Sequence, residues 1–213
     1  TLILLSTIIF TSCESMLDRF PKDTLSPETY FKSENEMRLY SDQFYTLFPS
    51  AANMYGEIAD DIIQTELTDE IRGTRIIPGN GGGWNFDKLR NINFLLENAS
   101  NNSDIAVRNE YQGVAYFFRA YFYFEKVKRF GDVPWYNKTL ASDDPELYKP
   151  RDSRELVMDS VMADLDKAIE FLPSTKELYR VTKWTALALK SRAGLFEGTF
   201  RKYHGIDEYE KYL

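Results

Sequence analysis

Apolar residues recur every three or four positions over most of the chain, which is the spacing of one face of a helix. The first such stretch follows a capping-box pattern formed by Ser33 and Glu36, and it stops at Pro49. Its apolar positions are Met37, Tyr40, Phe44 and Leu47. We therefore predict an amphipathic helix between the capping box and the proline.

A longer stretch, from about Ile105 to Phe130, is apolar on nearly every side. This pattern predicts a helix that is buried between neighbours. Gly131 should end the helix, and Pro134 prevents it from resuming. A shorter helix is predicted before it, from the stripe Leu89, Ile92, Leu96 and Ala99.

Two further helices are predicted in the last third of the chain. Asp152 with Glu155 gives a start signal for the first, which Pro173 closes, and Thr182 can cap the second. The stripe of the first helix is Met158, Met162, Leu165, Ile169 and Leu172. The second carries Trp184, Ala188 and Leu195 on one side and Leu189, Ala193, Phe196 and Phe200 on another. Helices dominate throughout, so the predicted fold class is all-α.

Residues 50–83 lack this periodicity. The run from Gly79 to Gly83 is rich in glycine and cannot hold a regular element, and the segment from Thr65 to Ile77 is polar and mixed. We predict a long loop here, with at most a short strand. Long loops in compact domains are usually functional or disordered, so this segment is the first place to look for a binding site.

Composition narrows the function classes. The chain has 213 residues, of which 43% are hydrophobic and 28% charged, and its formal net charge is -7. Nucleic-acid binding needs clustered basic residues, so we expect no nucleic-acid partner. A single cysteine and a single histidine allow no disulfide and leave too few ligands for a zinc site. We therefore expect no metal and no cofactor.

The N-terminal residues are typical of an export leader. The apolar run Leu2–Phe10 is shorter than the roughly 20 residues that span a bilayer, but it fits the core of a signal peptide. Phe10-Thr11-Ser12-Cys13 resembles a bacterial lipobox, in which cleavage precedes a lipid-modified cysteine. We expect residues 1–12 to be a signal peptide and Cys13 to carry a membrane anchor. A buried free thiol is the alternative.

Helix pairing is suggested by Asp164-Leu165-Asp166-Lys167-Ala168-Ile169, which resembles the second helix of a tetratricopeptide unit. The helix that follows, with Ala186, Ala188 and Ala193, is similar to the first helix of a next unit. An ordinary antiparallel helix pair would show the same stripe. Tetratricopeptide-like repeats and plain helical pairing therefore both remain open.

A further resemblance is carried by Arg119-Ala120-Tyr121-Phe122-Tyr123-Phe124 followed by Arg129-Phe130-Gly131-Asp132-Val133-Pro134-Trp135. This combination resembles the SusD/RagB family, surface lipoproteins that bind nutrients, mostly glycans, beside a TonB-dependent outer-membrane transporter of the SusC type. Leu89-Arg90-Asn91-Ile92-Asn93 and Phe196-Glu197-Gly198-Thr199 also resemble segments of the family. Residues 13–213 then resemble the N-terminal part of a longer family member.

The resemblance implies tetratricopeptide-like helix pairs with long ligand-binding loops. It also implies a non-catalytic lipoprotein, held on the cell surface at the outer membrane by its lipid anchor. Such a protein binds an oligosaccharide or a starch-like polysaccharide and delivers it to a SusC-like transporter. The implied partners are therefore that transporter and the glycan.

Loop residues 65–85 hold the candidate glycan site that the resemblance implies. Trp84 follows the flexible glycine-rich run, and an indole can stack on a sugar ring while polar side chains satisfy the hydroxyls. The polar candidates are Asn80, Asn85, Asp69, Arg72 and Arg75. Alternatively, Trp84 starts the next helix and packs into the core.

We assign structural roles to the residues of the turn after the long helix and to four arginines. A helix end followed by Gly and Pro needs a packed turn, which we assign to Phe130, Val133, Pro134 and Trp135. Arginine can satisfy several acceptors at once. We therefore expect carbonyl or carboxylate partners for Arg119, Arg129, Arg151 and Arg154.

Two other function classes compete with glycan binding. A glycoside hydrolase needs two carboxylates placed across a cleft, whereas Asp60-Asp61 and Asp143-Asp144 are neighbours in loops and do not face a common site. A tetratricopeptide-type adaptor lipoprotein would bind a protein partner instead. The leader, the turn after Phe130 and the long loop favour the glycan-binding class over this adaptor.

Overall fold

Helices make up nearly all the regular structure in the computed structural model, which describes residues 30–50, 65–67, 69–76, 79 and 81–212. The helices are α1 (Glu34–Asp42), α2 (Asp69–Arg72), α3 (Asp87–Asn98), α4 (Ile105–Phe130), α5 (Arg154–Phe171) and α6 (Lys183–His204). Short 3₁₀ turns lie at Gln43–Leu47, Ala99–Asn101, Pro145–Tyr148 and Tyr209–Tyr212. Within these described ranges the one β-type pairing is an antiparallel bridge between Val133 and Asp152. The predicted all-α class is confirmed.

Helix ends follow the predicted local chemistry at most positions. The Ser33 hydroxyl and the Glu36 carboxylate cap α1 reciprocally, and Thr182 caps α6 in a box with Thr185. Helix α4 ends at Phe130, because Gly131 adopts a φ of 70° that other residues rarely take. The predicted bounds of α4 are therefore confirmed.

Two predictions about secondary structure are wrong. The prediction of at most a short strand between residues 65 and 77 fails, because Asp69–Arg72 forms a single helical turn. Helix α5 is capped by Ser153, whose hydroxyl accepts from the Leu156 N–H, and not by Asp152. Asp152 instead contacts the turn that follows α4, as described below.

Helix α4 is the centre of the core, and it contacts α1, α3, α5 and α6. Its buried residues point in several directions, as its all-round apolar pattern predicts; the largest are Phe117, Phe118, Tyr123 and Phe124. On α6 the side with Leu189 and Ala193 is buried, whereas Trp184 and Leu195 on the other side are exposed. The turn formed by Val133, Pro134 and Trp135 packs on α4, with the Trp135 ring 4.2 Å from that of Tyr123.

A buried charge network ties α5 to α6 through Glu197, which is fully buried. Its carboxylate accepts from Arg154 Nε at 2.9 Å and from Arg201 Nε at 2.9 Å. Arg201 also donates to the Tyr212 hydroxyl at 3.1 Å. Carboxylate partners are therefore confirmed for Arg154, and Glu197 has a structural role in this network.

Helices long and apolar enough to cross a bilayer are not found among the residues that the structure describes.

Candidate functional site

An aromatic groove lies beside the C-terminal end of α4, between the segment 81–86 and the segment 131–153. It is a cavity of about 400 Å³, within the range of about 300–1,000 Å³ that ligand pockets usually occupy. The side chains that line it include Trp84, Phe86, Tyr136, Leu147, Lys149 and Arg151. A second cavity of about 180 Å³ shares the walls formed by Phe86, Tyr136 and Leu147, so the two cavities adjoin.

The first wall of the aromatic groove is built by a turn and a helix start. The Trp84 N–H donates to the Gly81 carbonyl at 3.0 Å, and Gly83 allows the turn with a φ of 88°. Asn85 Oδ1 accepts from the Asp87 N–H at 2.8 Å, an Asx turn that starts α3. Asn85 Nδ2 also bonds to the Asp87 carboxylate, so the Asn85 side chain is engaged locally.

Trp84 is partly packed and partly open, with 37% of its surface exposed. Its ring meets Phe86 edge-to-face at 5.3 Å and Phe130 at 4.9 Å. The Arg151 guanidinium lies 4.7 Å from the ring centre, a cation–π contact. Trp84 therefore anchors its loop on the end of α4 and still presents indole surface to the groove.

The second wall of the groove is fixed by Asp152. Its N–H donates to the Val133 carbonyl at 3.2 Å, and its carboxylate accepts from the Trp135 N–H at 2.7 Å. The same carboxylate pairs with Lys149 at 2.7 Å. Burial opposes ionisation of Asp152, but the hydrogen bonds from Lys149 and Trp135 outweigh it and hold the pKa below the ordinary value. Asp152 thus holds together the two ends of the segment 133–152, which faces Trp84.

Tyr136, in the middle of the same wall, is oriented by the buried Tyr123 of α4. The Tyr136 N–H donates to the Tyr123 hydroxyl at 2.6 Å, and this hydroxyl donates to the Pro134 carbonyl at 3.2 Å. Burial raises the pKa of Tyr123 far above its ordinary value, so the phenol stays protonated and can donate. The Lys149 ammonium lies 5.1 Å from the Tyr136 ring centre.

The predicted polar candidates are not gathered in this groove. Asp69 and Arg72 pair with each other at 2.9 Å on the exposed turn α2, and Thr74 also donates to Asp69. Arg75 is exposed in the segment after α2, and Asn80 lies outside the described residues. Of the five candidates that the structure describes, only Trp84 is among the side chains that line the groove.

Sequence reasoning missed Tyr136, Lys149 and Arg151 as companions of Trp84. The sequence predicts carbonyl or carboxylate partners for Arg151 and Arg129. In the structure the Arg151 guanidinium lies over the Trp84 ring, and the Arg129 guanidinium lies over the Phe130 ring. A signal was present, because aromatic Tyr136 follows a proline turn and Lys149 and Arg151 flank Pro150. Because these three residues are far from Trp84 along the chain, the sequence alone does not show that they meet it in the fold.

The groove combines aromatic surface with the Arg151 guanidinium and the Lys149 ammonium, of which the ammonium is already paired with Asp152. This combination suits a ligand that carries hydroxyl groups. Metal sites are a separate question. No group of three or more His, Cys, Asp or Glu side chains among the described residues is placed to hold a metal ion.

Comparison with known proteins gives one family match. A SusD-like family, described as starch-binding and associating with the outer membrane, matches residues 31–195. A SusD-like protein of Formosa agariphila is 26% identical over 207 residues, which cover 92% of this chain and 41% of that protein. The chain thus spans about 40% of the length of the curated relatives it matches.

Solved structures with the same fold come from Bacteroides. A SusD-like protein from Bacteroides fragilis has a TM-score of 0.61 and 24% identity, covering 86% of this chain and 39% of its own. A SusD-like carbohydrate binding protein from Bacteroides vulgatus has a TM-score of 0.58 and 20% identity, covering 85% and 44%. At these identities the likeness establishes the fold alone.

Proposed function

Because this chain belongs to the SusD-like family, we propose that it is part of an outer-membrane-associated protein that binds a glycan without cleaving it. The observation that carries the proposal is the aromatic groove beside α4. Its two walls bring the indole of Trp84 and the ring of Tyr136 to one cavity, with Lys149 and Arg151 beside them.

The chemistry of the groove supports a sugar ligand. Aromatic rings offer large apolar contact to the C–H face of a sugar and have few rotatable bonds to freeze. Lys149 and Arg151 are hydrogen-bond donors that can bind hydroxyl oxygens. Arg151 already covers part of the indole, so a sugar would contact the open part of Trp84 or displace the guanidinium. In this proposal Asn85 holds the loop that carries Trp84. Asp69, Arg72 and Arg75 remain candidates outside the groove, and Asn80, which the structure does not describe, also remains a candidate.

The wider assembly is also part of the proposal. Family resemblance supports delivery of the glycan to a SusC-like TonB-dependent transporter, and the lipobox-like residues support anchoring at Cys13, which lies outside the described residues. Mass spectrometry of the native protein should find a lipid adduct on a mature N-terminus at Cys13, after loss of residues 1–12. Co-purification from outer membranes should recover a large β-barrel transporter. An intact peptide through Cys13 with a free thiol, or recovery only as a solitary monomer, would contradict these parts.

Affinity electrophoresis in gels that contain polysaccharides tests glycan binding. We expect retention by at least one polysaccharide, with no product released, and loss of most retention in Trp84→Ala. The matched control is Trp184→Ala, because Trp184 is 61% exposed on α6, away from the groove. Product formation would indicate a hydrolase. Absence of retention by every polysaccharide would favour the protein-binding adaptor, and equal retention by both variants would place the site elsewhere.

A further inference from the structure

A third cavity, of about 550 Å³, lies against the last turns of α4 and adjoins the segment that carries Trp84. We call it the basic cavity. Phe122, Lys126, Arg129 and Phe130 recur at helical spacing, so α4 presents them together on one face. The side chains that matter for its chemistry are Lys88, Lys126, Lys128, Arg129, Asp87 and Glu125.

The charge of this cavity is opposite to that of the chain. Lys128 pairs with Glu125 at 2.6 Å, and the Asp87 carboxylate accepts from Asn85. Lys88, Lys126 and Arg129 have no carboxylate partner among the residues that the structure describes. Three cations that have no acidic partner among the described residues therefore line one cavity of a chain whose formal net charge is -7.

Two of these cations converge on Gly83. The Lys126 ammonium donates to the Gly83 carbonyl, and Arg129 Nε lies 3.4 Å from the position that a Cβ on Gly83 would occupy. The ring of Phe122 lies 4.9 Å from the ammonium and that of Phe86 lies 5.4 Å from it. Burial, and then repulsion by Arg129, lower the pKa of Lys126. An anion placed between the two cations would relieve that repulsion.

We propose that the basic cavity binds an anionic group on the glycan, either the carboxylate of an acidic sugar or a sulfate ester. Arg129 and Lys88 supply charge-assisted hydrogen bonds to the oxygens, and a guanidinium can bind a carboxylate or sulfate through two parallel bonds. Tyr121 borders the same space and offers apolar surface to the sugar ring. The inference rests on the proposed glycan binding and assigns it a ligand class, the acidic polysaccharides.

Matched polysaccharides test this inference with the full chain. One pair is polygalacturonate and its carboxyl-reduced form, and the other is dextran sulfate and dextran. We expect the chain to bind at least one charged form about tenfold or more tightly than its neutral partner at physiological salt. The first pair reports on carboxylate recognition and the second on sulfate recognition.

Charge-removing variants show whether the basic cavity is responsible. Lys88→Gln/Arg129→Gln should lose most of the preference for the charged form, whereas Lys32→Gln/Lys202→Gln removes two exposed charges elsewhere and should keep it. Lys88→Gln alone should show a partial loss, which covers the case in which the double variant folds poorly. Thermal midpoints of all variants identify such misfolding.

The outcomes separate this inference from the proposed function. Equal binding of charged and neutral forms, or equal losses in both double variants, would overturn the anionic site and leave glycan binding intact. Absence of binding to any neutral or charged polysaccharide would overturn glycan binding itself.

Discussion

Arg119 and Asp164 form a buried, two-pronged ion pair that joins the middle of α4 to α5. Arg119 Nε and Nη2 each donate to a different oxygen of Asp164 at 2.7 Å, and the two side chains are only 9% and 7% exposed. Arg119 Nη1 also donates to Asn93 Oδ1 at 3.2 Å and to the Asn137 carbonyl at 3.4 Å. The carboxylate partner expected for Arg119 is thus confirmed. Through these bonds Arg119 links α4 to α3, to α5 and to the segment 131–153, which forms the second wall of the groove.

Removing one member of this pair should destabilise the protein strongly. Arg119→Leu leaves the Asp164 carboxylate buried without its partner, at a cost of about 3–5 kcal/mol of unfolding free energy. Urea denaturation followed by circular dichroism measures the loss. The double variant Arg119→Leu/Asp164→Leu should lose less than the single variant, because no uncompensated charge remains. A single variant within about 1 kcal/mol of wild type would contradict this reasoning.

Tyr123→Phe should weaken both stability and glycan binding. The change removes the hydroxyl that accepts from the Tyr136 N–H, and an unsatisfied buried polar group costs about 1–3 kcal/mol. Because Tyr136 lines the aromatic groove, retention in polysaccharide gels should fall as well. Tyr203→Phe, at an exposed site on α6, is the control. Stability lost without any change in retention would show that Tyr136 does not contact the glycan.

Gly194→Ala should displace the last described turn, Tyr209–Tyr212. A Cβ at Gly194 would lie 2.5 Å from the Tyr212 carbonyl oxygen, so the backbone there must move. We expect faster amide hydrogen exchange in residues 206–212 and a loss of about 1–3 kcal/mol, the usual cost of overpacking. Ser191→Ala, on the exposed side of α6, should leave exchange unchanged. Native exchange rates in Gly194→Ala would show that the turn is not held there.

Acid should remove a contribution that Asp152 makes to stability. Its folded pKa lies below the ordinary 3.8, so the ionised carboxylate stabilises the fold above that value and this contribution is lost as the pH falls through the folded pKa. Asp152→Asn should therefore be less stable than wild type near pH 6, and the difference should shrink as the pH falls below 3.8. Thermal midpoints across this range measure the effect, with the exposed Asp207→Asn as control. A constant difference would indicate that ionisation of Asp152 does not matter.

Local chemistry explains why much of the fold was predictable. Capping by Ser33 and Thr182 and termination at Gly131 depend on residues within a few positions of each helix end. The start of α5 was harder, because Asp152 and Ser153 are adjacent and both can cap. A contact from the Trp135 N–H engages Asp152, and that contact depends on how the chain folds back.

The groove was less predictable for the same reason. Trp84 could be chosen because it follows a glycine-rich run, but Tyr136, Lys149 and Arg151 meet it only through the packing of α4. Closeness to Trp84 along the chain makes Asp69 and Arg72 candidates, but in the structure they pair with each other. The tetratricopeptide-like assignment of the helix pairs stays a prediction.

The bridge between Val133 and Asp152 closes the segment between them into a loop with fixed ends. The entropy lost on closing such a loop is incurred when the protein folds. A glycan that enters the groove therefore meets a wall that is already ordered, and little further chain freedom is lost there on binding. The affinity of the groove should then depend mainly on how flexible the glycan itself is in solution.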